Sequence, residues 1–86
     1  MIKNIFIIDD SALMRRVLSD IINSDKRFHA AEFASNGLEA LYIMQHRANE
    51  FDAILLDINM PKMNGIEFLA ELQRQKIKAT VIIVST

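Results

Sequence analysis

The run Ile5-Phe6-Ile7-Ile8-Asp9-Asp10 decides the reading of this 86-residue chain: an unbroken apolar stretch delivers two carboxylates at its end. Such a run, about Asn4 to Asp9, suits a strand buried on both faces of a parallel sheet. A second run, Ala53-Ile54-Leu55-Leu56, ends in the same way at Asp57. If the two strands are parallel neighbours, the three carboxylates gather at one sheet edge. Like charges crowded into a poorly solvated site repel strongly unless a cation neutralises them. The pattern therefore predicts a cation-dependent acidic pocket on an α/β sheet.

Working outward, strand-like and helix-like patterns alternate. Leu13, Met14, Val17, Leu18, Ile21 and Ile22 recur at helical spacing, with Arg15, Arg16, Ser19, Asp20 and Asn23 on the other side. Phe28 to Ala34 reads as a weaker strand whose His29 and Glu32 suit an edge. Asn36-Gly37-Leu38-Glu39 resembles a capping box, opening a helix to about Arg47 that buries Leu38, Leu41 and Met44 or Tyr42. Phe51 to Asp57 reads as a central strand. The stretch Ile58 to Asn64 contains the only proline and is not a regular helix. Gly65 opens a third helix through about Gln75, with Ile66, Leu69 and Leu72 inward, and Thr80 to Ser85 is the last strand. Repeated alternation implies parallel strands joined by right-handed crossovers.

Composition narrows the function classes. Eighty-six residues make one domain with one core. A net charge of -1, with no basic stripe, gives no pull toward nucleic acid or an anionic membrane. Cysteine is absent, which excludes a disulfide framework, a thiolate zinc site and a cysteine nucleophile. The N-terminus shows neither signal-peptide architecture nor a membrane span, so a cytoplasmic protein is expected.

In open parallel sheets, ligands bind beyond the carboxyl ends of the strands, where strand order reverses. Asp9, Asp10, Asp57 and Ser85 all fall at such ends. A single aspartate there commonly caps the next helix, and Asp10 or Ser11 could do so. Capping accounts poorly for Asp9, and for Asp57, which precedes a loop. Hard carboxylate oxygens without Cys or a His pair select magnesium or manganese over zinc. A carboxylate can also act as nucleophile toward phosphorus, and Asp57, alone on its strand and facing the Asp9-Asp10 pair, is the natural acceptor. His29 and His46 have no ligand partner at helical or strand spacing, and the methionines at 14, 44, 60 and 63 read as packing.

The Asp9-Asp10 pair, Leu55-Leu56-Asp57-Ile58-Asn59-Met60-Pro61, Gly65 and the apolar strand closing at Ser85 resemble the receiver domain of bacterial two-component response regulators. Asp10-Ser11-Ala12-Leu13-Met14-Arg15-Arg16 and Ala34-Ser35-Asn36-Gly37-Leu38-Glu39-Ala40-Leu41 look most like the N-terminal receiver of the chemotaxis protein-glutamate methylesterase family. The resemblance implies a flavodoxin-like three-layer α/β fold, here four strands and three helices, with residues 1–86 forming part of a receiver domain. It implies a phosphoacceptor switch, not a turnover enzyme, that receives a phosphoryl group on Asp57 from a histidine kinase with Mg2+ or Mn2+. It makes Asp10 and Asp57 metal ligands, gives Asp9 a metal-bound water and Asn59 a backbone carbonyl to the metal. Ser85 would bond a phosphoryl oxygen and move on activation, while Pro61 and Gly65 shape the loop.

The family pattern continues past Thr86 with a helix, a fifth strand carrying a phosphate-contacting lysine, and a last helix. Lys62 lies in the loop near Asp57 but has only its position to suggest that it substitutes. Without those pieces Val81 to Val84 forms an exposed apolar edge, and self-association through it is expected. Two rivals follow. One is a receiver fragment that folds and self-associates without productive phosphotransfer. The other is an aspartate-nucleophile phosphatase, which needs its two carboxylates two apart on the first strand, whereas Asp9 and Asp10 are adjacent.

Overall fold

The computed structural model describes residues 1–84, and its strands and helices alternate from the start. Strand β1 covers Lys3–Ile8, helix α1 Ala12–Asn23, β2 Phe28–Ala34, α2 Gly37–Arg47, β3 Ala53–Leu56, α3 Gly65–Arg74 and β4 Val81–Ile83. A short 3-10 turn over Ala48–Glu50 joins α2 to β3, an element the periodicity did not announce. All pairings are parallel and the strand order is β2-β1-β3-β4. The chain thus winds one way from β1 to β2, then crosses back to β3, and the reversal falls between β1 and β3.

Strand alternation divides the core into two layers. Phe6 and Ile8 of β1 join Ile54 and Leu56 of β3 beneath α2 and α3, which contribute Ala40, Leu41, Met44, Phe68 and Leu72. Ile5, Ile7 and Leu55 point to the opposite face, where Leu18 and Ile22 of α1 pack. Both faces of β1 are covered, as its apolar run anticipated. β2 takes the edge, and its Glu32 accepts from Arg47 Nη1 at 2.6 Å.

Helix faces differ from the periodicity in detail. In α2 the buried residues are Gly37, Ala40, Leu41 and Met44, while Leu38 and Tyr42 face out. Gly37 sets that rotation: its N–H donates to the Met63 carbonyl at 2.9 Å. A Cβ at position 37 would lie 2.3 Å from the same oxygen, so only glycine permits the approach. In α3, Phe68 and Leu72 are buried and Ile66 is exposed. Asn64 and Glu67 form the reciprocal capping box of α3. At α2 only half of the expected box forms, because Glu39 Oε1 accepts from Ser35 N–H. Helix α1 has no fully buried residue: Met14, Leu18 and Ile22 on one flank of its stripe are half-buried, and Leu13, Val17 and Ile21 are left at 71%, 40% and 61% exposure.

Candidate metal and phosphoacceptor site

The register places the acids. Ile8 of β1 pairs with Leu56 of β3, so Asp9 and Asp57 leave the sheet side by side, and the Asp57 N–H donates to the Ile8 carbonyl at 2.9 Å. One carboxylate oxygen from each of Asp9, Asp10 and Asp57 lies within 4.8 Å of the others. These residues, with Ser11, Met14, Asn59 and Val84, line a cavity of about 260 Å³ at the strand-order reversal. No described residue lining it is cationic, so the acids face one another without a protein counter-charge in the cavity. Lys62, exposed and in the left-handed region at φ 66°, is not among the lining residues.

Each aspartate sits differently. Asp9 is the one buried charged residue among the described residues. Burial raises its carboxyl above the ordinary value, and the negative charges of Asp57 and Asp10 push the same way; the Ser11 N–H and Arg15 oppose them. Asp9 Oδ1 accepts from Ser11 N–H at 2.9 Å. The cap of α1 is Ser11, whose hydroxyl accepts from Met14 N–H, so Asp10 is not spent as a cap and stands exposed. Asp57 Oδ1 accepts from Asn59 N–H at 3.2 Å, which turns the loop back over the carboxylate. Further along, Gly65 N–H donates to Ile58 O, and a Cβ on Gly65 would meet the Asp57 carbonyl at 2.7 Å. The loop is therefore closed onto β3 by close backbone contact.

Of the residues singled out from sequence, Asp9, Asp10, Asp57 and Asn59 come together at this cavity; Ser85 lies outside the described residues. The sequence reading missed Met14 and Val84 as lining residues. It also missed Arg15, assigned to the solvent side of α1, whose Nη1 in fact donates to the Asp9 carbonyl at 2.8 Å. The one available signal was its place four residues after the Ser11 cap, over the turn that follows β1.

A doubly wound parallel α/β domain with three carboxylates at its topological switch point defines a class of strand-end acidic-pocket proteins. Within that class the family model described as "Response regulator receiver domain" matches residues 5–86, and the chain belongs to this family. The protein-glutamate methylesterase/protein-glutamine glutaminase of Treponema denticola is 45% identical over 82 residues, covering 95% of this chain and 22% of that protein. The chain spans about a fifth of the length of the curated relatives it matches. The crystal structure of the response regulator domain of Thermotoga maritima CheB has a TM-score of 0.85 at 40% identity, over 99% of this chain and 61% of that one. A chain in the structure of the P1 domain of CheA3 in complex with CheY6 from R. sphaeroides has a TM-score of 0.79 at 38% identity, over 96% and 63%. The match falls on a receiver domain and not on the methylesterase part of those relatives; receiver domains are not enzymes. No helix among the described residues is long and apolar enough to cross a membrane.

Proposed function

We propose that this chain is a phosphorylation-controlled switch of a two-component, chemotaxis-type relay that takes a phosphoryl group on Asp57. The observation that carries this reading is the convergence of Asp9, Asp10 and Asp57 within 4.8 Å at the ends of two adjacent parallel strands. An all-oxygen donor set with no sulfur or imidazole suits a hard divalent cation, magnesium before manganese. Asp10, Asp57 and the Asn59 carbonyl would hold it, with Asp9 acting through a water. Bound there, the cation would offset the charge of the acids and of an incoming phosphoryl group.

The chain's own groups then divide the work. Asp57 Oδ1 is oriented by Asn59 N–H, and Oδ2 carries no hydrogen bond among the described residues. A carboxylate oxygen of Asp57 bonds to phosphorus as the P–N bond of a donor phosphohistidine breaks. The bonding pair leaves with the imidazole nitrogen, which takes up a proton from solvent. Ser85, in the next strand end by sequence, would donate its hydroxyl to a phosphoryl oxygen. The donor is a histidine kinase in the cytoplasm; the similarity to a chain from a CheA P1–CheY6 complex supports that partner class.

Incubation with Mg2+ and acetyl phosphate, followed by intact mass measurement, tests the reading. A single phosphate adduct on the wild type and none on Asp57→Asn is expected. An adduct equally abundant on the variant would remove Asp57 as acceptor.

A further inference from the structure

We propose that Arg15 is a positioning residue for the carboxylate pocket: by holding the Asp9 main-chain carbonyl it fixes how Asp9 and Asp10 are aimed at Asp57. The inference rests on the metal reading above. Its basis is the bonding of Asp9. The Asp9 N–H donates to Ala34 O at 3.1 Å, tying the residue to β2. Oδ1 is held by Ser11 N–H, and the carbonyl by Arg15 Nη1 at 2.8 Å. Only Oδ2 is left without a protein hydrogen bond among the described residues, available to the cavity.

The carbonyl matters most because it belongs to the peptide joining the two acidic residues. Pinning it fixes the rotation of that peptide plane, and the plane sets where the Asp10 side chain points relative to Asp9. A guanidinium can do this from α1 because Arg15 lies one turn past the cap: its own N–H donates to Ser11 O at 2.9 Å. A charge-assisted bond to a carbonyl beside a buried residue is also stronger than a neutral one. The side chain is half-buried, although hydrophobic patterning alone would turn it to solvent. Arg15 does not line the cavity, so it supports the acids from behind without occupying the cation's place.

Two roles for Arg15 give opposite signs, which makes the proposal decidable. A cation that merely sits near the pocket repels a divalent ion, and removing it would tighten binding. A positioning group aligns ligands, and removing it weakens binding, by about tenfold where the support of a metal ligand is lost. The test is Mn2+ titration of the whole chain, following free Mn2+ by electron paramagnetic resonance, for the wild type, Arg15→Gln and Arg15→Lys. We expect Arg15→Gln to bind about tenfold more weakly. Arg15→Lys keeps the charge and a donor but lacks the rigid planar head that sets Nη1 on the Asp9 carbonyl, and should bind roughly two- to threefold more weakly.

In both variants the amide resonance of Asp10, next to the pinned carbonyl, should shift. Folded Arg15→Gln with unchanged or tighter binding overturns the proposal. Should Arg15→Gln fail to fold, Arg15→Lys decides: weaker binding with a displaced Asp10 resonance upholds the role, and wild-type affinity with an unmoved resonance overturns it. No saturable Mn2+ binding by the wild type would bring down the metal reading itself and the proposal with it.

Discussion

Replacing Asp57 with asparagine should make the metal-free protein more stable, although it removes the group on which the function depends. In the native state the Asp57 carboxylate lies within 4.8 Å of those of Asp9 and Asp10. Two unit charges at that distance repel by about 1 kcal/mol in a water-like medium and about 3 kcal/mol at an effective dielectric of 20. Asp10 is exposed and Asp57 half-exposed, which favours the lower figure for each pair. Asparagine keeps an Oδ1 to accept from Asn59 N–H, so little bonding is lost. The expected gain is about 1–2 kcal/mol, or about 5–10 °C in Tm for a domain of this size. The assay is thermal and urea unfolding by circular dichroism, in EDTA and in millimolar Mg2+. Wild type should gain stability with Mg2+ through selective binding to the folded state, and Asp57→Asn should gain much less. If Asp57→Asn is no more stable than wild type in EDTA, or gains as much from Mg2+, the charge-crowding argument fails.

Three further outcomes follow. Gly37→Ala, which in an ordinary helix would stabilise, should here cost about 1–3 kcal/mol in urea denaturation, because its Cβ would strike the Met63 carbonyl at 2.3 Å; a gain would show that contact to be soft. Lys76 follows the end of α3 at φ 58°, so Lys76→Gly should add about 0.5 kcal/mol by relieving left-handed strain, and a lower urea midpoint would contradict this. The raised Asp9 carboxyl gives a pH signature in EDTA: as pH climbs past the ordinary value of 3.8, the unfolded chain releases its proton first and the folded state loses relative stability until the native group ionises. The stability of Asp9→Asn minus that of wild type should widen through this window, a difference that cancels the opposite contributions of the lowered Glu32 and Glu50 carboxyls; a gap that stays flat or narrows would refute it.

The parts of the fold legible in sequence were those where one interaction dominates. β1 and β3 carry apolar residues on both faces because both faces are covered, and a period-independent run can mean little else when acids end it. The gathering of Asp9, Asp10 and Asp57 followed from those two strands and parallel order alone. What periodicity misjudged was helix rotation. Leu41 and Met44 are buried as expected, with Met44 taken over its alternative Tyr42, but Leu38 faces out, because the close approach of Gly37 to Met63 turns Ala40 to the core in its place. Phe68 displaces Ile66 from the interior of α3 in the same way, since the capping box at Asn64 fixes where the first turn starts. Arg15 was illegible to hydrophobic patterning because its role is a hydrogen bond to a main-chain carbonyl, which only its place four residues after the Ser11 cap could have signalled.

The shared mouth of β1 and β3 can be probed most directly by paramagnetic broadening of amide resonances in the 15N-labelled chain during substoichiometric Mn2+ addition. The account predicts that residues Asp9 to Ser11 and Asp57 to Asn59 lose intensity together and first, and that excess Mg2+ restores them. Broadening that begins at only one of those strand ends, or elsewhere on the surface such as around Asp25 or Glu71, would contradict it.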